Sequence, residues 1–179
     1  MQRKFSCEEK FPLFPLQRPH ILPDNSEEIA MLTYSRIKSI GVQMQGQDRR
    51  VVSGVLEDEL YAMECEIAIN WPDLAIESVQ TRMKRFTTKR CPLAQEVFGR
   101  AEGWKLDSEL DARIKKELGR YGCRHMAVLM IDCCRSVVEA ELARDLGSAI
   151  GKEPELDRKK FLDQFYEKYP QLRGYLRLQ

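Results

Sequence analysis

The five residues Gly122-Cys123-Arg124-His125-Met126 place a thiol and an imidazole two positions apart. They stand at the head of the longest helical pattern in the chain, from about Arg124 to Ile150. The first turn of a helix offers unpaired backbone N–H groups and the positive end of the helix dipole, which favour a thiolate over a thiol. Cys123 in that position is a candidate metal ligand or nucleophile. A second thiol has a comparable setting, because the proline of Cys91-Pro92 suits the first position of a helix and so puts Cys91 at or just before a helix start. If the two helix starts converge over one end of a sheet, Cys91, Cys123 and His125 can hold zinc with a fourth position open. With Cys65 as third thiolate, the same set suits an iron–sulfur cluster. Without a metal, Cys123 is a nucleophile or persulfide carrier and His125 its base. Buried, hydrogen-bonded core roles for the same side chains stand beside these readings.

The other cysteines constrain the choice. There are six, Cys7, Cys65, Cys91, Cys123, Cys133 and Cys134, and none forms a CxxC pair, so the spacing of a closed structural zinc site is absent. Cys133 and Cys134 lie about three helical turns beyond Cys123, roughly 15 Å by helical rise, and read as structural. Cys65 shares a strand face with Met63, Ile67 and Ile69, which makes a small buried hydrophobe its default role. Glu64 and Glu66 point the other way and read as a solvated face, or as a general base if the chain is an enzyme. His20 has no identifiable partner.

The elements that must position these groups follow from periodicity. Residues 31–86 alternate in short segments: Ile40 to Met44, Val51 to Val55, Tyr61 to Asn70 and Leu74 to Met83, separated by turn residues. That is the pattern of a four-stranded antiparallel meander. In the fourth segment the alternation weakens, Ile76 and Val79 falling on opposite faces. A short helix follows Cys91, with Leu93, Ala94, Val97 and Phe98 as its apolar face. Ser108-Glu109-Leu110-Asp111 has capping-box spacing and opens a second helix that Gly119 stops. The third begins at Cys123 and turns Met126, Leu129, Met130, Cys133 and Val137 inward, with Ala140 and Leu146. A last helix between about Leu156 and Tyr169 carries Phe161, Phe165 and Tyr169 at four-residue spacing. Pro12, Pro15, Pro19 and Pro23 give residues 1–26 the character of an extended arm, apolar enough to lie against the domain or a partner.

Length and composition bound the rest. A chain of 179 residues with 43% hydrophobic content supports one buried core. We therefore expect an arm at 1–26, a single α+β domain at 27–151 and a helical extension at 152–179. A net charge of +1 with acids and bases interspersed argues against a nucleic-acid binder. No apolar run approaches the roughly 20 residues that cross a bilayer, and the first residues lack the apolar core of a secretory signal. A cytoplasmic location with reduced cysteines is the expectation.

The stretch from Leu56 to Leu142 resembles a bacterial family known as domain of unknown function 2889. The resemblance is carried by Leu56-Glu57-Asp58-Glu59-Leu60-Tyr61, Ile76-Glu77-Ser78-Val79, Cys91-Pro92 and Gly122-Cys123-Arg124-His125-Met126, the last similar to a glycine-cysteine-threonine-histidine-leucine signature. It implies no particular activity. More distantly, the order of features looks like the NifU-like iron–sulfur scaffold fold, and that likeness implicates Cys91, Cys123 and Cys65 as cluster ligands. The expected architecture is a four-stranded antiparallel sheet covered on one face by three helices. The expected function is binding of zinc or an iron–sulfur centre in an assembly, carrier or accessory role, with a protein partner and room for a homo-oligomer. A zinc-dependent or cysteine-based hydrolase, lyase or sulfur transferase is the first alternative, and an interaction module with structural cysteines the second.

Overall fold

The structure, a computed structural model, describes residues 34–153 and 155–176. The proline-rich arm, Cys7 and His20 lie outside the described residues. Four strands form, β1 (Arg36–Gln45), β2 (Arg49–Asp58), β3 (Ala62–Asn70) and β4 (Ala75–Arg85), and each pairs antiparallel with the next in the order β1-β2-β3-β4. Alternation sets the register: Val52, Gly54 and Leu56 of β2 lie opposite Ile67, Cys65 and Met63 of β3, all buried on one face. Glu64 and Glu66 fall on the other face.

The weak alternation of β4 has a local cause. Pairing with β3 skips Glu77, so Ile76 lies opposite Ile69 while Val79 lies opposite Ile67. The bulge puts both side chains on the core face, contrary to the expectation from strict period two. The turn before β4 places Leu74 at a φ of 49° with its side chain fully buried. A left-handed conformation costs a non-glycine residue about 1–2 kcal/mol. Burying a leucine side chain returns about 1.5–3 kcal/mol. Burial wins, helped by the Leu74 carbonyl accepting the Leu106 N–H at 2.7 Å.

After β4 the chain makes a 3-10 turn (Pro92–Ala94), a single turn α1 (Gln95–Phe98) and a second 3-10 turn (Gly99–Ala101). Phe98 and Ala101 carry its packing face, whereas Leu93, expected there, is 70% exposed. Helix α2 (Leu110–Arg113) continues as a π-wound segment (Ile114–Gly119). The capping box does not form, because Glu109 is the cap residue and makes no side-chain bond, while Asp107 Oδ1 accepts the Glu109 N–H at 2.9 Å. Helix α3 (Arg124–Ile150) is capped by Cys123 as the spacing predicts.

Helix α3 crosses β1, β2 and β3, while the α1 region packs on β4 and the π-wound segment packs on α3. The expected inward face, Met126, Leu129, Met130, Cys133 and Val137, is buried, but so are Ala127, Ile131, Cys134 and Val138. A helix with the sheet on one side and other helical segments on the other has little outward face over its first two-thirds. Helix α4 (Arg158–Lys168) and the turn after it contribute Phe165, Leu172, Tyr175 and Leu176 to the same core, so the described part of the expected extension packs with the sheet and α3 in one compact unit. Among the described residues, no helix is long and apolar enough to cross a membrane.

One ion pair lies inside this core. Arg50, 2% exposed, donates through Nε to Glu141 Oε1 and through Nη1 to the Gln47 and Arg49 carbonyls at 2.9 and 3.1 Å. Arg144 pairs with the same carboxylate, and the Arg50 guanidinium lies 5.4 Å over the Trp71 ring. Trp71 in turn donates through Nε1 to the Tyr169 hydroxyl at 3.1 Å, tying the end of α4 to the β3–β4 turn.

Candidate functional site

The β2–β3 turn, the exit of β4 and the starts of the α1 region and α3 meet at one end of the sheet. The turn is built on Asp58, whose side chain is closed to solvent. Its Oδ1 accepts the Leu60 and Tyr61 N–H groups at 2.8 and 2.7 Å. Its Oδ2 accepts Arg36 Nε and Nη2 at 2.9 and 2.8 Å and the Tyr34 hydroxyl at 3.2 Å. Burial alone raises a carboxyl pKa, but the Arg36 guanidinium and the two amides outweigh it and hold Asp58 at about 2. Arg85, at the exit of β4, donates to the Asp58 carbonyl. The turn is therefore clamped from both neighbouring strands.

This clamp aims Tyr61. Its ring stacks on His125 with centroids 4.3 Å apart and planes at 33°, and its hydroxyl lies 3.4 Å from Thr87 Oγ1. Three residues after Thr88, Cys91 opens the Pro92–Ala94 turn, with its Sγ 3.3 Å from Thr88 Oγ1. A hydroxyl donating to sulfur favours the thiolate, and it outweighs partial burial, so the Cys91 thiol titrates below the ordinary thiol value; Thr87 adds to the effect. Cys91 is only partly buried. The result is a partly exposed sulfur on Thr88, with the neighbouring Thr87 in reach of Tyr61 and the Tyr61 ring against an imidazole.

Gly122 explains how the two helix starts come so near each other. A Cβ on it would stand 2.7 Å from the Leu118 carbonyl oxygen, 3.2 Å from the Phe98 ring and 3.3 Å from the Ala94 carbonyl oxygen. Only glycine lets the backbone before Cys123 lie against the α1 region. Cys123 itself is half-buried against the core, and its side chain makes no capping bond.

The predicted ligands do not gather into one cluster. Cys65 lies in the core, hydrogen-bonded to Cys133, and that bond together with burial pushes its thiol well above the ordinary value. Burial does the same to Cys134. Buried in the core on the face that α3 covers, Cys65 is not grouped with Cys91 and Cys123, so among the described residues the three-cysteine cluster set is not assembled. Among the described residues, no group of three or more His, Cys, Asp and Glu side chains is placed to hold a metal ion. Glu64 and Glu66, the candidate bases, are turned to the other face of the sheet, where Glu64 pairs with Lys84 and Glu66 accepts from Ser53. What sequence reasoning missed is the polar chain around Cys91. Its signal was the Thr87-Thr88 pair just upstream of the cysteine, and the aspartate in the Leu56–Tyr61 stretch.

A family model described as "Protein of unknown function (DUF2889)" matches residues 37–139, a span that contains Tyr61, Cys91, Cys123 and His125. No curated protein matches the chain, and no solved structure matches it.

Proposed function

The chain belongs to the DUF2889 family, and from the geometry of its matched region we propose that it is a thiol-dependent carrier or accessory protein working through Cys91. The observation that carries this reading is the Cys91 sulfur: accessible, at a helix start, and held toward thiolate by the Thr88 hydroxyl. Upstream of it, Thr87 meets the hydroxyl of Tyr61, whose ring stacks on His125. Leu60, Phe86, Leu93 and Tyr121, all strongly exposed, flank these same segments in the chain and supply apolar surface for a protein partner. A carrier requires that combination of a reactive sulfur and a place to dock.

A second reading is favoured by the close approach at Gly122. There Cys91 and Cys123 offer thiols to a soft metal ion or cluster in an assembly role, with a partner supplying the remaining donors; the NifU-like likeness belongs with this reading. Anaerobically purified protein, assayed for bound zinc, iron and visible absorption and then alkylated with iodoacetamide and mapped by mass spectrometry, separates the two. Metal-free protein whose first alkylated site within residues 34–176 is Cys91 supports the thiol carrier. Stoichiometric metal, with Cys91 and Cys123 protected until chelation, supports the second reading. Metal-free protein in which Cys91 is as inert as Cys134 overturns both.

A further inference from the structure

Buried side-chain polar atoms almost always find hydrogen-bond partners, so the exceptions are informative. Among the described residues four lack one: Asp111 Oδ1, Arg135 Nε, Glu141 Oε2 and Tyr175 OH. Glu141 Oε2 is already accounted for by its ion pair with Arg144. The other three belong to α2, α3 and the segment after the Pro170–Leu172 turn, parts of the chain far apart in sequence. All three residues line one cleft of about 270 Å³, together with Ser108, Lys115 and Gly174. The cleft shares no residue with the Cys91–His125 end.

The unmet demands define a complementary molecule. Arg135 Nη2 is bound to Asp111 Oδ2, which leaves Asp111 Oδ1 needing a donor and Arg135 Nε needing an acceptor. Tyr175 is 3% exposed, and burial pushes its phenol upward, so its hydroxyl stays protonated and serves as either. Gly174, at a φ of +80°, makes the turn that brings the tyrosine there. Lys115 and Arg135 set two positive charges against the one carboxylate of Asp111. Lys115 also lies in the first turn of the π-wound segment, a winding often found at functional sites. The volume is below the range of roughly 300–1,000 Å³ typical of drug-sized ligands, which suits a small metabolite.

We propose that this cleft binds a small carboxylic acid that also carries a hydroxyl or ammonium group. Its carboxylate meets Arg135 and Lys115, and its hydroxyl or ammonium donates to Asp111. Tyr175 completes the set.

L-malate, L-aspartate and succinate share a carbon skeleton and differ only in the donor group, and they are titrated into the full chain by calorimetry and amide NMR. Saturable binding of malate or aspartate, with shifts centred on Asp111, Arg135 and Tyr175, is the expected result; which of the two binds identifies the donor as hydroxyl or ammonium. Succinate, which leaves Asp111 Oδ1 unmet, binds roughly tenfold more weakly or worse. Lys115→Gln, at an exposed position, weakens binding about tenfold while leaving the fold intact. Tyr175→Phe removes the orphan hydroxyl, so it raises the melting temperature of the free protein and still weakens binding. The proposal is overturned if no acid binds saturably at tens of millimolar, if succinate equals the other two, or if both variants bind as the wild type does.

Discussion

Gly54 of β2 lies directly beneath Cys133 of α3, so close that a methyl group on the glycine would collide with the sulfur and crowd Leu129. The 27-residue helix can cross the sheet here because β2 presents bare backbone at the crossing point. Gly54→Ala is expected to destabilise the fold by about 1–3 kcal/mol, the usual result of overpacking a dense core. Urea unfolding measures it. In the double variant with Cys133→Ala the two costs should fall short of their sum, because the smaller residue makes room for the added methyl.

Asp58 makes stability depend on acid. Its pKa of about 2 lies below the value near 3.9 of an unfolded aspartate, so the stabilisation is fully present above about pH 4 and drains away as pH falls through about 2. Asp58→Asn keeps acceptors for the Leu60 and Tyr61 amides but loses the charge that holds Arg36. The variant is expected to be less stable at neutral pH and to show a flatter decline between pH 4 and pH 2. Equal slopes for the two proteins in that window would refute the assignment.

Thr88 sets the reactivity of Cys91. Replacing it by valine keeps the shape and removes the hydroxyl that favours the thiolate, so the pH midpoint of Cys91 alkylation should move upward toward the ordinary thiol value. Cys65, Cys133 and Cys134, closed inside the core, should stay unmodified in the native protein at every pH where it remains folded.

Gly122→Ala tests the approach of the two helix starts. With the Leu118 carbonyl 2.7 Å from the added carbon and the Phe98 ring at 3.2 Å, the backbone must shift. A loss of about 1–3 kcal/mol in urea unfolding is expected. Altered reactivity of both Cys91 and Cys123 should accompany it, whereas Gly147→Ala, in open space on α3, should change neither cysteine.

Arg50 and Glu141 are worth more together than either residue is alone. Glu141→Ala should cost about 3–5 kcal/mol, because it strands a buried guanidinium without its anion. A double replacement, Arg50→Met with Glu141→Leu, should recover most of that loss. Chemical unfolding of the three proteins gives the comparison.

Much of the fold was legible because its strands have one buried and one solvated face. The alternation of Met63, Cys65, Ile67 and Ile69 against Glu64 and Glu66 states outright which way β3 turns, and Cys123 before a long apolar run marks the start of α3. Legibility failed where a backbone irregularity intervened. The skipped Glu77 reverses the facing of Ile76 relative to Val79, and the π winding of Ile114–Gly119, a segment packed on α3, departs from the 3.6-residue period that the sequence pattern reads. The candidate site was half legible. Cys91 and His125 could be picked out as residue types, but Tyr61, against His125, and Thr87, next to Thr88, become neighbours only when the β2–β3 turn and the exit of β4 sit side by side. Cys65 misled for the opposite reason: its strand pattern already said core, and the cluster reading set that aside.

The buried pairing of Arg50 with Glu141 also fixes what counts as a self-sufficient piece of this chain. The family model ends at residue 139, two positions short of the glutamate. A polypeptide trimmed to the matched span would keep the guanidinium and lose its anion, along with the Tyr169 hydroxyl that receives Trp71. On the ribosome the same holds: the hairpin emerges early, but its inward-facing cation has no counterpart until the far half of α3 has been synthesised. Completion of the interior waits on residues that the shared family segment does not contain.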